Sequence, residues 1–331
     1  MPLPFAELVE LVRRDDPELD RLELEPDGRF QRRAVTLEGV ARATAEVLAP
    51  GFAARGETEL PLVAIGWGKC RVGSTALTNL FGIAGVPAYY QPVKTVVRYE
   101  LLGGRGSPWE LPDAEVVFAK EMAGPYVYCE ALFNPIRCLV EAGYPPSQLH
   151  LIVLERDPEE SLASWLDRWT HRLEPDRLVR NFVLSSSNAD RMRAYAASEG
   201  VAVTHWPYEA SREAAITVPR LLSRLGAADR FRPEILGDWG ASGALESTES
   251  AIRFPEEPEP YAMPGLHGAD DGYRYRHRST ASLTDEHRET IAELGLGDLH
   301  AQAIRGCVDD LGLDDGEARA VFGQYLREPV R

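Results

Sequence analysis

The sequence predicts an α/β fold in which a mostly parallel sheet is covered by helices on both faces. Short, continuously apolar runs are typical of strands, and they lie at 61–66, 116–120, 150–156 and 201–206. Stretches in which apolar residues have helical spacing lie among them, near 127–142, 158–170, 175–198 and 211–225. Strands that are apolar on both faces and alternate with helices indicate a parallel sheet buried between two helical layers.

The chain is expected to form one domain of four consecutive parts. Residues 1–60 are predicted to be a helical and hairpin extension, because they combine helical spacing with a Pro-Asp-Gly turn signal. Residues 61–235 hold the α/β core. Residues 236–283, which are rich in Gly, Pro, Ser and Glu, are expected to be an irregular cap. Acidic helices are predicted for 284–331.

The charge balance excludes two classes of partner. The 331-residue chain carries 36 Lys and Arg residues against 52 Asp and Glu residues, a formal net charge of −16. Proteins that bind nucleic acid or anionic membranes need a broad basic face, so this balance argues against both. It leaves open a small anionic ligand that is held in a local basic pocket.

Cysteine spacing and hydropathy predict a cytoplasmic protein without a metal site. The four cysteines lie far apart, with no C-x-x-C pair and no Cys/His cluster at zinc-ligand spacing, which is typical of thiols in a reducing compartment. The N-terminal segment turns acidic before any apolar stretch of signal-peptide length. No run approaches the roughly 18 apolar residues that a membrane span needs.

A phosphate-binding loop is predicted after the first strand. The segment GWGKCRVGSTALTNLF has the order strand, glycine-containing loop, helix, which aims backbone N–H groups and a helix N-terminus at one point. Gly68 and Gly73 have the spacing of a Walker A loop, but Ser74 stands where that loop has its lysine. The cations lie inside the loop instead, at Lys69 and Arg71.

A second candidate anion site follows the strand at 150–156. Arg156 ends that strand and is expected at the carboxyl edge, where open α/β sheets bind ligands. Asp157 is a good N-cap for the next helix, and with Glu160 it forms a capping-box pattern. Ser164 points away from the apolar stripe of that helix, so a guanidinium and a hydroxyl are expected to bind one phosphate together.

Together the two motifs resemble the sulfotransferase family that uses 3′-phosphoadenosine 5′-phosphosulfate. The segment 71–75, RVGST, is similar to that family's loop Lys/Arg-Ser-Gly-Thr/Ser-Thr, with Val72 in place of Ser. Arg156, Pro158 and Ser164 are similar to its 3′-phosphate site. The motifs stand in the family's order.

The resemblance implies a P-loop-like sulfotransferase domain of three layers, α/β/α, with a central sheet of about five strands. It implies transfer of a sulfuryl group from 3′-phosphoadenosine 5′-phosphosulfate by in-line displacement, with adenosine 3′,5′-bisphosphate as the product and no metal. The 5′-phosphosulfate is expected in the loop and the 3′-phosphate on Arg156 and Ser164. The implied donor-binding residues are Lys69, Arg71, Val72, Gly73, Ser74, Thr75, Arg156, Ser164, Arg274 and Arg276.

The late basic segment at 271–283 is the candidate lid over the 3′-phosphate. If this segment is extended, Arg274, Arg276 and Arg278 point to one side. The family has a late basic segment that is worded Arg-Lys-Gly in its cytosolic branch, and this wording is absent here. The alternative is a basic patch that neutralises the acidic C-terminal helices.

The resemblance makes Arg71, Lys120 and Glu121 the catalytic candidates. The cytosolic branch of the family carries its base in a Lys-x-His motif after the third apolar strand, and Met122 stands at the His position here. Glu121 is the nearest substitute for the base, while Lys120 and Arg71 would stabilise charge on the transferring group. A solvated Lys-Glu pair is the alternative. Other candidates for the base are His171 and His267.

The acceptor is expected to be the hydroxyl or amine of a small molecule. Few lysines beside abundant Arg, Ala and Gly suggest a high-GC bacterial source, which favours a natural product or metabolite. Tyr99, Glu100 and Trp109 are candidates for lining its pocket. Two other functions stay open: a P-loop nucleotide kinase or NTPase, and a non-catalytic nucleotide-binding homologue, which the residue at position 122 favours. The sequence does not predict an oligomeric state.

Overall fold

A six-stranded sheet forms the centre of the molecule. The structure is a computed structural model that describes residues 3–56, 59–237, 239, 252–262 and 272–326. Every pair of neighbouring strands in the sheet is parallel, and the order across it is β5-β4-β1-β3-β2-β6. The strands are β1 (Leu62–Lys69), β2 (Ala88–Tyr90), β3 (Val116–Ala123), β4 (Leu149–Glu155), β5 (Ala202–Pro207) and β6 (Ile252–Arg253).

Helices surround the sheet and account for most of the remaining chain. None of the helices in the described residues is both long enough and apolar enough to cross a membrane. The α-helices are α1 (Phe5–Arg13), α2 (Glu18–Arg21), α3 (Leu37–Ala53), α4 (Ser74–Ile83), α5 (Pro92–Leu101), α6 (Tyr128–Leu132), α7 (Pro135–Glu141), α8 (Pro158–Trp169), α9 (Pro175–Ser198), α10 (Ala214–Arg224), α11 (Asp285–Glu293), α12 (Leu296–Leu311) and α13 (Asp315–Phe322). Short 3-10 helices lie at Pro146–Gln148, Tyr208–Glu213, Ala228–Arg230, Pro233–Leu236 and Glu259–Tyr261.

Side-chain alternation along the strands divides the interior into two helical layers. In β1, Val63, Ile65 and Trp67 join a core that also contains residues of α3, α5, α7 and α9. In β3, Phe118 and Met122 face the opposite way, into a core with residues of α4, α10, α12 and α13. Because successive side chains of a strand point to opposite faces, both faces of the sheet are buried. The predicted three-layer α/β/α class is confirmed.

The four strands predicted from apolar runs are β1, β3, β4 and β5, and the structure confirms all four. It adds β2 and β6, which have three and two residues. The prediction of an irregular segment at 236–283 therefore needs a correction, because β6 pairs with β2 at the edge of the sheet. Part of that segment, including His267, lies outside the described residues.

Chain order places a ligand crevice at the end of β1. The strands β2 and β3 lie on one side of β1, whereas β4 and β5 lie on its other side. At such a switch point the loops that follow two neighbouring strands run in opposite directions. A crevice therefore opens between these loops at the carboxyl edge of the sheet. The predicted phosphate loop follows β1 directly, so it lies at this crevice.

Gly68 permits the close approach of β1 to β4. A Cβ atom at this position would lie 2.1 Å from the backbone oxygen of Leu154, which cannot rotate away. We expect Gly68→Ala to lower the free energy of unfolding by about 3 kcal/mol, measured by chemical denaturation. The control is Gly297→Ala in α12, where nothing lies within 4 Å and a gain of up to ~1 kcal/mol is expected. Similar losses in the two variants would contradict this account.

Candidate functional site

A cavity of about 710 Å³ opens at the carboxyl edge of the sheet, beside the loop that follows β1. Its lining is strongly cationic, although the chain as a whole carries a net charge of −16. In the described part of the chain, Glu257 is the one Asp or Glu residue that lines it. The Arg and Lys residues of the lining are Arg71, Arg98, Lys120, Arg156, Arg276 and Arg278.

The loop between β1 and α4 has the backbone of an anion-binding loop. Arg71 and Gly73 both have left-handed backbone conformations, with φ of 71° and 76°, and α4 begins directly afterwards at Ser74. A left-handed non-glycine residue is strained, and such strain is concentrated at binding sites. Gly73 also lies close to the 3-10 helix that follows β5, since a Cβ atom at Gly73 would lie 2.1 Å from the ring of Tyr208. The loop therefore directs the N-terminus of α4 at the cavity.

The two sequence motifs meet at one corner of this cavity. The Nε of Arg71 donates a hydrogen bond of 2.9 Å to the hydroxyl of Ser164 on α8. Burial lowers the pKa of Arg71. The guanidinium is therefore held in place and desolvated, a state in which an added anion interacts more strongly than it would in water.

Arg156 lies beside the loop, but a carboxylate already pairs with it. Its Nη2 lies 2.5 Å from Glu160 Oε2 and also donates 2.9 Å to the carbonyl oxygen of Arg276. Its guanidinium stands 4.7 Å from the ring centroid of Tyr208. The predicted capping box is wrong, because Glu160 binds Arg156 and the 275–278 segment instead. The N-cap backbone N–H of Asp157 donates to Glu209 at 3.1 Å.

The late basic segment reaches the cavity with only some of its arginines. Arg276 and Arg278 line the cavity, as predicted for Arg276. Arg274 lines a separate, neighbouring cavity, which is a departure from the prediction. The alternation that was expected to place all three on one side of the segment therefore does not bring them to one cavity. The hydroxyl of Tyr208 binds both the Arg274 oxygen and the Arg276 nitrogen, between the two cavities.

Lys120 lies on the cavity side of β3, next to the loop. Its Nζ stands 3.3 Å from the hydroxyl of Thr75 and 4.6 Å from the ring centroid of Tyr90. Burial, together with neighbouring cations that include Lys94 and Arg71, lowers the pKa of Lys120 to about 7. The predicted position of Lys120 beside the transferring group is therefore compatible with the fold.

Lys120→Met is expected to stabilise the ligand-free protein at pH 7 by on the order of 2–4 kcal/mol. A lysine with a pKa of about 7 when folded and 10.5 when unfolded opposes folding, because the unfolded chain binds its proton more tightly. The gain is complete below pH 7, begins to shrink near pH 7 and is lost as the pH rises towards 10.5. Chemical denaturation at pH 7 and pH 9.5 measures it. Equal gains in stability at both pH values would contradict the assigned pKa. The control is Lys120→Arg, which keeps a positive charge at this position.

The structure does not bring Glu121 or Lys69 to the cavity. Glu121 faces away from the cavity and accepts hydrogen bonds from the backbone N–H groups of Val93 and Lys94, 2.7 and 3.0 Å long, at the start of α5. Burial raises the pKa of Glu121 to about 8. Lys69 lies on the α9 side of the sheet and forms a buried ion pair with Glu155. Neither residue lines the cavity, because both side chains point to the face opposite α4.

The remaining predicted residues are divided between the cavity and the core. Gly73, Ser74 and Thr75 line the cavity, whereas the side chain of Val72 is buried in the core. Trp109 packs against Tyr89 in the interior. Glu100 forms an ion pair with an arginine of the N-terminal region, and His171 is exposed. Neither residue lines the cavity, and Tyr99 does not line it either.

All three lysines of the sequence are buried at or behind this cavity. Lys94, the third, donates 2.7 Å to the Met122 oxygen and lies 3.2 Å from Glu130. Glu130 also accepts a hydrogen bond from Arg98, at 2.8 Å. In the described residues no group of three or more His, Cys, Asp and Glu side chains could hold a metal ion.

No family model, no curated protein and no solved structure matches this chain. The likeness to sulfotransferases therefore rests on the two motifs and on the place to which the fold brings their side chains. Arg71 from the first motif and Arg156 and Ser164 from the second lie together at the carboxyl edge of the sheet.

Sequence reasoning missed the second half of the cavity wall. Its polar members contact one another: Arg98 donates 2.6 Å to Glu257. Segment 252–262 has no strand or helix periodicity, and Arg98 looks like one polar position of an ordinary helix. The sequence contains one weak indication of this wall: prolines and two aromatic residues stand close to Glu257 in the chain. The other missed lining residues include Tyr90, Gln91, Tyr126, Trp169, Phe254 and Tyr261.

Proposed function

We propose that this protein is a sulfotransferase that moves a sulfuryl group from 3′-phosphoadenosine 5′-phosphosulfate to a small-molecule hydroxyl or amine. One observation supports this most strongly. An acidic chain concentrates six Arg and Lys side chains around one cavity, which also contains a phosphate-type loop at the switch point of a parallel sheet. Such a concentration of charge suits a ligand with several negative charges.

The residues present fit that donor. Backbone N–H groups of the loop and of the α4 N-terminus would hold the 5′-phosphosulfate together with Arg71. Arg156 and Ser164 would hold the 3′-phosphate, and Arg276 stands next to Arg156. The bound donor supplies the sulfuryl group and its leaving group.

This chain's own contribution is positioning and electrostatics. Arg71 and Lys120 are fixed by contacts to Ser164 and Thr75, so they need little reorganisation when charge develops near them. A cavity that is lined by side chains from β3, α4 and α8 holds two reactants in a fixed relative orientation. Charge stabilisation and orientation are the requirements of an in-line group transfer.

One observation favours a P-loop nucleotide kinase or NTPase as a second candidate. Lys120 Nζ is 3.3 Å from Thr75, so a lysine does stand beside the loop although Ser74 occupies the Walker position. Against this candidate, Lys69 is paired with Glu155 on the other face of the sheet. A nucleotide-binding protein without catalytic activity is the third candidate.

Thermal unfolding with nucleotides separates these candidates. Adenosine 3′,5′-bisphosphate is expected to raise the melting temperature, because a ligand that binds only the folded state stabilises it by RT ln(1 + [L]/Kd). A rise with ATP and Mg²⁺ but not with the bisphosphate would overturn the proposal in favour of a kinase. A rise with the bisphosphate, without sulfuryl transfer to any member of a broad acceptor panel, would favour the binding protein.

A further inference from the structure

Glu257 is an unusual residue for this cavity. Six cationic side chains line the cavity, and Glu257 is the one carboxylate in its described lining. It comes from the segment that follows β6, far in sequence from both phosphate-site motifs. Its side chain keeps 22% of its surface exposed, so the carboxylate is accessible from the cavity.

Different contacts hold the two oxygens of this carboxylate. Oε2 accepts a hydrogen bond of 2.6 Å from Arg98. Oε1 lies 3.4 Å from both Gln91 Nε2 and Thr95 Oγ1, which is long for a hydrogen bond. The carboxylate is therefore anchored through one oxygen, and the other can accept a shorter bond from a ligand.

Arg98 is itself held rigidly, which fixes Glu257. Its Nε donates 2.8 Å to Glu130, and its guanidinium stands 4.6 Å from the ring centroid of Tyr261. Both Arg98 and Glu130 are buried. A base whose orientation is fixed by a buried partner is suited to proton transfer, because it needs no rearrangement during reaction.

The wall around Glu257 is aromatic. Tyr90 and Phe254 are stacked, with ring centroids 4.4 Å apart and planes at 11°. Phe254 is 55% exposed, the one large hydrophobic side chain in the described residues that is exposed to this degree. Tyr126, Trp169 and Tyr261 also line the cavity. The exposed ring of Phe254, in a wall of aromatic side chains, favours a planar aromatic ligand.

We propose that Glu257 Oε1 binds the hydroxyl of a planar aromatic acceptor and takes its proton; this rests on the proposed function. The O–H bond of the acceptor breaks as its oxygen bonds to the sulfur of the donor. The proton goes to Glu257, and the electron pair of the broken S–O bond leaves with adenosine 3′,5′-bisphosphate. An acceptor with a cationic amine is disfavoured, because Arg71, Arg98 and Lys120 also face the cavity.

Glu257→Gln is expected to lower kcat for phenolic acceptors by 10²–10⁴, the range of general-base catalysis, while the affinity for adenosine 3′,5′-bisphosphate stays within threefold. Glu257→Asp is expected to restore part of the rate. The matched control is Glu256→Gln, because Glu256 is the neighbouring carboxylate, is exposed and does not line the cavity. A kcat within threefold of wild type in Glu257→Gln would overturn the assignment.

A spectroscopic titration tests the same residue without turnover. 4-Nitrophenol absorbs at different wavelengths as phenol and as phenolate, so its ionisation can be followed while it is bound. Glu257 favours the neutral phenol, whereas Arg71, Arg98 and Lys120 favour the phenolate. Glu257→Gln is therefore expected to shift the apparent pKa of the bound probe downwards by at least about one unit. Identical titrations in the two proteins would overturn the assignment. If the wild type does not bind the bisphosphate, the proposed function fails, and this titration still decides the role of Glu257.

Discussion

Arg71→Ala is expected to lower sulfuryl-transfer turnover by about 10²–10³. Arg71 is the cation that the phosphate loop itself carries to the cavity, and its bond to Ser164 fixes it before any ligand arrives. Removing one preorganised donor to a developing charge costs this much in other enzymes. Steady-state rates with saturating donor measure the effect. Near-normal turnover would remove Arg71 from the chemistry.

The backbone of Arg71 provides a control for folding. Its φ of 71° is as strained for alanine as for arginine, but glycine adopts it freely. Arg71→Gly is therefore expected to be more stable than Arg71→Ala by about 1 kcal/mol, with the same loss of turnover. If turnover instead recovered with stability, the defect of Arg71→Ala would be one of folding and not of charge.

Under the proposed function, Arg156→Ala is expected to weaken the binding of a nucleotide that carries a 3′-phosphate. Truncating one partner of a buried, charge-assisted contact costs about 2–5 kcal/mol, which corresponds to a loss of roughly 30-fold or more in affinity for adenosine 3′,5′-bisphosphate. The affinity for adenosine 5′-monophosphate, which lacks that group, should change much less. Calorimetric titration of both nucleotides measures the difference. Equal losses for the two nucleotides would show that Arg156 does not read the 3′-phosphate.

Two features make Arg156→Ala an interpretable variant. Glu160 keeps hydrogen bonds from Tyr275 and from the backbone N–H of Arg278, so the carboxylate is not left without donors. The control is Arg274→Ala, because Arg274 lies in the same basic segment but lines the neighbouring cavity. We expect that control to bind the bisphosphate within threefold of wild type.

The sequence predicted the core of the sheet well, and several of the residues that it singled out line the cavity. Apolar runs of strand length and helical periodicity are local signals, and the strands β1, β3, β4 and β5 carry them. Strands of two or three residues do not, so β2 and β6 were missed. Gly73 and Arg156 could be predicted because the turn from strand to helix makes local demands on the residues of the loop and of the strand end. Ser164 could be predicted from helical periodicity, which places it away from the apolar stripe of α8.

The sequence contained information against two of the predicted placements, those of Glu121 and Lys69 at the cavity. Lys120 and Glu121 are neighbours on one strand, so only one of them can face the cavity. Lys69 has the same parity in β1 as Val63, Ile65 and Trp67, which face the layer opposite α4. Which face holds the cavity is set by the helix layers, and the sequence alone did not establish this.

The part of the cavity wall around Glu257 and Arg98 had no local signal in the sequence. Glu257 reaches it because a two-residue strand attaches its segment to β2, and this contact joins positions more than 150 residues apart in the chain. Arg98 is paired with Glu257 and Glu130, two carboxylates that come from distant parts of the sequence. Such pairings depend on packing of the whole fold, and no motif of a few residues encodes them.

The burial of every lysine gives this protein an unusual chemical surface. Amine-reactive reagents consume exposed lysine ε-amines on most proteins, but here the three ε-amines lie inside. Only Lys120 among them lines the cavity, and its lowered pKa keeps a fraction of its ε-amine neutral and nucleophilic at physiological pH. The active-site candidate is thereby a natural handle for selective acylation or imine formation, and bound ligand would shield it.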